Sequence, residues 1–174
     1  LKVNRIEPRT GDTVEIVGFS SDSNQPSFYA EKSGGNQQVS NRVDTKVTLT
    51  STAKRVDPYN LLDANGKFTA TSDTAGIWRF TGQVSGFCVG AMEIDLVGAY
   101  LFKNGSAISE GSDSIRDDGQ SFGGKSTTQT VSIIAEVASG DTIELYGNIG
   151  HGGNVRTLEI LQRATNFTGN RISL

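Results

Sequence analysis

Residues 57–86 read DPYNLLDANGKFTATSDTAGIWRFTGQVSG, and this stretch decides the class of fold. Within it, residues 76–80 alternate apolar and polar side chains, with β-branched and aromatic types among them. A period of two residues marks a strand with one buried face. The Asn65–Gly66 pair, just before Phe68, is a turn signal. The stretch therefore predicts two strands, 67–71 and 76–83, in an all-β chain.

The composition of the whole chain agrees with that prediction. Its 174 residues suffice for one domain with a real core, and they include 21 glycines but only 3 prolines. Glycine costs a helix roughly 1 kcal/mol per position, so helices are disfavoured. The net charge of −3 is interspersed, without a basic stripe, so nucleic acid is not an expected partner. No apolar run approaches the ~20 residues of a membrane-spanning helix.

Further strands are predicted on both sides of this stretch. Short strands at this spacing are typical of a sandwich or barrel. The Asn104–Gly105 pair is a strong signal for a two-residue hairpin turn. Residues 109–126 are rich in Ser, Gly and Asp, and we expect them to form a long surface loop. The other expected strands are 27–30, 46–49, 92–103, 128–137, 141–147 and 155–162.

The first 25 residues differ from the rest and are predicted to be an anchor. A small hairpin, with strands 2–7 and 13–17, would precede a polar linker at 20–25. Two short strands alone are marginal in water, so this segment must dock on something. The domain proper is placed at 26–174. The expected docking residues are Val3, Ile6, Val14, Ile16 and Phe19.

Candidate catalytic residues are few. His151 is the only histidine and lies in a Gly-rich turn, which favours an exposed loop histidine over an oriented general base. Glu93 and Asp95 share a strand face, but two such acids are more often solvent-facing or paired with Lys or Arg than catalytic. We therefore expect no enzyme activity and no cofactor.

The predicted loop carries an acidic cluster, Asp113, Asp117 and Asp118, beside Arg116. Calcium takes six to eight oxygen ligands, but the spacing here does not fit an EF-hand loop. A solvated loop is favoured, and no metal site is expected. Cys88 has apolar neighbours and is interpreted as a buried small hydrophobe, not a reactive thiol.

Several large aromatic residues fall on alternating strand positions. This pattern predicts core packing, or packing along a trimer axis, because burial at such an axis is core burial shared among subunits. The residues are Phe68, Trp78, Phe80, Tyr100 and Phe102.

Taken in order, several segments resemble the globular head of the C1q family. The central match is Tyr59, then NGKFTA at 65–70 and GIWRF at 76–80. Phe28–Ala30 resembles the opening strand, 102–105 a strand ending in an Asn–Gly turn, and 128–145 a late hairpin. The chain departs from the pattern near its end, where 158–161 lack the usual Phe-Ser-Gly. The register of the last strands therefore stays open.

The resemblance implies a jelly-roll sandwich of about ten antiparallel strands, as in C1q and tumour necrosis factor heads, assembled as a homotrimer. Such heads bind ligands on exposed loops and have no catalytic site. Transferred to this chain, the exposed-loop binding candidates are Asp113, Arg116, Asp117, Asp118 and His151.

Residues 2–11 are similar to the leader of bacteriophage virion proteins. Together, the two resemblances imply a trimeric structural protein on the exterior of a phage particle. Capsid decoration through the anchor, with other virion proteins as partners, is favoured. Two alternatives stay open: a head or tail fibre or spike tip that attaches to a host-surface glycan or protein, and a non-viral extracellular binding module. Membrane insertion is not expected.

Overall fold

A computed structural model describes residues 25–49, 55–89, 94–116, 126–152 and 157–173, with the backbone alone for 109–116. The described residues form an all-β body of twelve strands and no helix. In chain order the strands are β1 Ser27–Glu31, β2 Gln37–Val39, β3 Thr45–Lys46, β4 Arg55–Val56, β5 Phe68–Thr69, β6 Gly76–Cys88, β7 Leu96–Lys103, β8 Ser106–Arg116, β9 Ser126–Val137, β10 Thr142–Gly150, β11 Leu158–Ile160 and β12 Asn166–Ser173.

The strands form two sheets with antiparallel pairing throughout. Sheet A runs β2-β11-β6-β12-β1-β4, and β9 also pairs with β6. The long strand β6 pairs with β9 along its whole length, and with β12 and then β11 along its other edge. Sheet B runs β3-β10-β7-β8, and β5 also pairs with β10. This two-layer arrangement fits the sandwich that the strand spacing predicts.

The core lies between the sheets and contains a cluster of aromatic rings. Trp78 and Phe80 of β6 stack at 5.6 Å between centroids, and Phe68 contacts Trp78 at 4.8 Å. Phe28 of β1 packs edge-on against Phe167 of β12 at 4.9 Å. All five rings are at least 96% buried. The indole Nε1 of Trp78 donates to the carbonyl oxygen of Thr74 at 2.8 Å, so its one polar atom is satisfied.

Two of the predicted core aromatics lie elsewhere. Tyr100 and Phe102 are only half-buried, because β7 points Val97, Ala99 and Leu101 inward and these two residues outward. Phe102 instead stacks on Tyr146 of β10 at 3.9 Å on the outer side of sheet B. The expectation of a core position is therefore corrected for both residues.

The first part of the predicted long loop, 109–116, is a strand, and 117–125 lie outside the described residues. Residues 106–116 form β8, which pairs with β7 from Lys103 opposite Ser106 to Leu96 opposite Arg116. Strand β8 ends the strand order of sheet B, so its polar sequence fits an edge strand. Asp113 and Arg116 are therefore strand residues, whereas Asp117 and Asp118 lie outside the described residues.

The last strand is another correction. Of the predicted strand 155–162, residues 155 and 156 lie outside the described residues and Leu158–Ile160 form β11. The chain then goes on to β12, Asn166–Ser173, which sequence reasoning did not predict. Strand β12 lies in the middle of sheet A, between β6 and β1. Its Phe167-Thr168-Gly169 run is similar to, but not identical with, the Phe-Ser-Gly that 158–161 lack. Its position resolves the open register.

The strands give the sandwich two distinct ends. The near end, as we call it, carries the start of β1, the end of β12 and the start of β6, with Ser27 opposite Asn170 and Asn170 opposite Arg79. The far end carries Cys88, Leu96 and Gly150. Entry and exit of the described body thus share the near end.

Candidate binding surface

Sheet A has one side on the core and one side turned away from it, which we call the open face. Strand alternation places Phe28, Trp78 and Phe80 inward, and so Tyr29, Ile77 and Arg79 outward. The open face has two neighbouring cross-strand rows. One is Val56, Tyr29, Thr168, Thr81 and Ser132, and the other is Ser27, Asn170, Arg79 and Ile134.

Hydroxyl groups on the first row bond to partners within the sheet. The Thr81 and Ser132 hydroxyls are 2.9 Å apart, and the Thr168 hydroxyl donates to the carbonyl oxygen of Thr81 at 3.4 Å. Tyr29 donates to the Glu31 carboxylate at 3.0 Å. Burial, then the hydrogen bond and negative charge of Glu31, raise the pKa of Tyr29. Because these groups already have partners, another surface can cover the row at little desolvation cost.

The same face exposes large apolar side chains. Ile134 of β9 is 61% exposed and Val56 of β4 is 63% exposed. Ile77 and Ile172, near the ends of β6 and β12, are exposed as well. The outer edge of β9 has no strand partner among the described residues. An unpaired edge beside exposed isoleucine is a surface that proteins usually cover.

The near end of the open face holds a cleft of about 520 Å³. Arg171 is anchored there, because its Nη1 donates to the carbonyl oxygen of Asp73 at 2.7 Å. Arg79 is exposed, and neither arginine forms an ion pair with any described residue. The cleft is lined by Gln25, Ser27, Arg79, Asn170, Arg171 and Ile172.

The predicted exposed histidine is buried at the far end. Strand β10 continues to Gly150, and the His151 backbone N–H donates to Asn41 Oδ1 at 3.1 Å. This pairing with the 40–44 turn leaves the histidine only 2% exposed. Neither ring nitrogen has a hydrogen-bond partner in the described part of the chain. The interpretation as an exposed loop histidine was therefore wrong.

The structure also shows where several other residues singled out in the sequence lie. Asp95 pairs with Arg42 at 2.6 Å, which fits the interpretation of a charge-paired acid, while Glu93 lies outside the described residues. The docking residues of the anchor also lie outside them. Cys88 is fully buried. Asp113 and Arg116 lie on β8 and His151 follows β10, so they do not share one loop, although Arg116 and Gly150 both lie opposite Leu96 at the far end.

The described residues offer no metal site and no membrane-spanning helix. They contain no group of three His, Cys, Asp or Glu side chains placed to hold a metal ion. They also contain no helix with the length and apolarity needed to span a bilayer.

Comparison with known proteins adds information on the fold. Neither a protein-family model nor a curated protein matches the sequence of this chain. Solved structures match it in shape. Eiger TNF from S. frugiperda aligns with a TM-score of 0.57 and 10% identity, covering 86% of this chain and 94% of that one. The globular domain of zebrafish complement 1qA protein aligns with a TM-score of 0.51 and 19% identity, covering 85% of this chain and 97% of that one.

The chain has a C1q/TNF-like jelly-roll fold. The prediction of an all-β jelly-roll sandwich is thereby confirmed. At these identities the likeness concerns the fold, and function must be argued from the surface.

Sequence reasoning missed the open face, although a signal was present. Ile133 and Ile134 are consecutive in β9, and side chains alternate across a strand. One of the two must therefore face away from the core. The cleft had no such signal, because Arg79 and Arg171 come together only through the pairing of β12 with β6.

Proposed function

We propose that this chain is a non-enzymatic recognition module that assembles as a homotrimer through the open face of sheet A. The observation that carries the proposal is the composition of that face, where exposed Ile134 and Val56 flank a row of internally bonded hydroxyls. The fold supports it, since the neighbours in shape are a TNF protein and a complement globular domain. A jelly-roll head is also expected to trimerise from the family resemblance.

The apolar residues supply the driving force. Burying a large aliphatic side chain contributes about 1.5–3 kcal/mol. Each protomer offers three on this face outside the near-end cleft: Val56, Ile77 and Ile134. Against two neighbours these contributions offset part of the entropy lost on association.

The unpaired edge of β9 determines which surfaces of two neighbouring subunits meet. Ile134 and Glu136 project from β9 toward the open side, next to that edge. A second copy that covers this edge with its own open face shields the main-chain groups and the isoleucine together. Head-to-tail repetition of such a contact closes a ring when the rotation permits.

Assembly would also serve recognition. Three copies of each far-end loop would be held at fixed spacing, so weak contacts by single loops combine through avidity. The turn 40–44 and the end of β10 lie at that end. We propose the far end as the ligand-contacting part, where the 40–44 turn and the end of β10 join the end of β8 at Arg116.

Light scattering coupled to size exclusion tests the assembly. The wild type should have three times the mass of one chain, and Ile134→Lys should reduce this to a single chain. Val43→Lys is the matched control, because Val43 is 49% exposed in the 40–44 turn, away from the open face. A wild type with the mass of one chain contradicts the proposal.

We propose the exterior of a phage particle as the location, with capsid decoration as the role. The support is the similarity of residues 2–11 to virion leaders. A fibre tip that attaches to the host remains the alternative role, and a secreted non-viral module the alternative class. Mass spectrometry of purified particles against secreted fractions decides the location. Host-cell binding by a trimer lacking residues 1–25 favours the fibre tip.

A further inference from the structure

We propose that the near-end cleft is a binding site for an oxyanion group, a sulfate, phosphate or carboxylate, carried by a ligand of this module. The inference goes beyond the proposed function, because it assigns a ligand class to the near-end cleft in addition to the far-end loops. Binding requires that the near-end cleft stay uncovered in the trimer, so the proposed subunit contact is centred on Ile134 and the edge of β9.

The lining of the cleft carries positive charge. Two of the six residues that line the cleft are arginines, and none is acidic. The chain as a whole has a net charge of −3, so this carboxylate-free pair of guanidinium groups departs from the surrounding average. Because neither arginine is neutralised by a described acid, their positive potential is available to a ligand.

The hydrogen-bond donors of the cleft have a geometry that suits an oxyanion. A guanidinium presents N–H groups in a planar fork that matches two oxygens of a carboxylate, sulfate or phosphate. Arg171 is held in place through its bond to the Asp73 carbonyl oxygen, so it loses little freedom on binding. The carboxamides of Gln25 and Asn170 and the hydroxyl of Ser27 add further donors around the same cavity.

The position and size of the cleft also suit a binding site. Ser27, Asn170 and Arg79 are consecutive partners across β1, β12 and β6, so these three donors stand on paired strands, whereas Gln25 precedes β1. The cleft of about 520 Å³ is open to solvent, so it can admit the anionic group of a larger ligand. Exposed Ile172 in the lining offers an apolar contact to the remainder of the ligand.

Binding is measured with two probes, inorganic sulfate at constant ionic strength and a sulfated disaccharide, by calorimetric titration. We expect saturable binding to the wild type, with Arg79→Gln and Arg171→Gln each about tenfold weaker or worse. Arg163→Gln is the matched control, because Arg163 is exposed and lies outside the cleft. Arg79→Lys, which keeps the charge without the fork, should bind between the two levels.

The probes also distinguish the sources of the anion. If the disaccharide binds more tightly than inorganic sulfate, the natural anion is a group on a glycan. If the two probes bind equally, it is a free ion. Either result supports the site provided that binding is weakened by substitution of Arg79. The proposal is overturned if neither probe saturates, or if all variants bind alike. Light scattering on the same samples separates the two proposals. A trimer that shows no Arg79-dependent binding contradicts only the proposal of an oxyanion site. A monomer that shows such binding contradicts only the proposal of a homotrimer.

Discussion

The carboxylate of Asp141 accepts a hydrogen bond from Asn104 Nδ2 at 2.7 Å, and this contact joins two tight turns at the near end. Asn104 belongs to the turn between β7 and β8, and Asp141 to the turn between β9 and β10. Lys103 adds an ion pair at 2.8 Å, and the Ala138 N–H donates to the same carboxylate at 2.9 Å. Both sheets are thereby fixed to each other, because β9 lies in sheet A and β10 in sheet B.

These contacts predict a pH dependence. The hydrogen bond from Asn104, with those from Lys103 and Ala138, lowers the pKa of Asp141 to about 2, against 3.8 ordinarily. A lowered carboxyl pKa stabilises the fold above the unfolded value and loses this effect as pH falls through about 2. Asp141→Asn should therefore cost about 1 kcal/mol at pH 7 and almost nothing below pH 2. Urea unfolding at both pH values checks this. An equal loss at both would contradict it.

Two glycines in similar backbone conformations should respond differently to alanine. Gly105 has φ of +80° with nothing within 4 Å of an added Cβ, and Gly66 has φ of +84° with Leu49 Cβ at 2.6 Å. The backbone penalty of about 1 kcal/mol is common to both. Gly66→Ala should lose a further 1–3 kcal/mol, roughly, through overpacking. Denaturant unfolding of the pair measures the difference, and equal losses would refute the packing explanation.

The buried histidine is predicted to be dispensable for stability. Its ring is 2% exposed with both nitrogens unpartnered among the described residues, so burial costs free energy without a compensating hydrogen bond. His151→Leu should leave the free energy of unfolding unchanged or raise it by about 1 kcal/mol. A loss of more than about 2 kcal/mol, as for a truncated core residue, would reveal a partner for the ring. His151→Ala provides the cavity-forming comparison.

Thermal unfolding should depend on protein concentration. If three chains share the open face, the folded state is stabilised by mass action, so Tm rises with concentration. Ile134→Lys should have a lower Tm that stays constant over a hundredfold dilution series. Val43→Lys should follow the wild type. Differential scanning calorimetry makes the comparison, and a wild-type Tm that ignores concentration would speak against association.

The class of fold could be predicted because strong local signals agree. Alternation in 76–83 predicts most of β6, and the Asn104–Gly105 turn is present, with φ of 52° and 80° at its two residues. Trp78 and Phe80 are at inward positions of β6, as a half-buried strand requires. These features depend only on residues that are close together in the sequence, so they can be predicted from the sequence.

What could not be predicted depends on residues that are distant in sequence. Strand β12 escaped notice because, of its eight residues, Phe167 is the only large apolar side chain that the core receives. The next inward position is Gly169, where a Cβ would lie 2.4 Å from a ring carbon of Phe28, so the space is already filled from β1. His151 looked exposed for a related reason, since Asn41 lies 110 residues away in sequence. The cleft likewise exists only after β12 pairs with β6.

The shared near end of β1 and β12 has a mechanical consequence. Ser27 and Asn170 are cross-strand partners, so tension applied through the two ends of the body acts on one end of an antiparallel pair. The main-chain hydrogen bonds between these strands lie across them and would break one after another, as in a zipper, instead of together in shear. Pulled in this way the module should peel open at low force. A force that enters through one of these two ends and leaves through another part of the body would not separate β1 from β12.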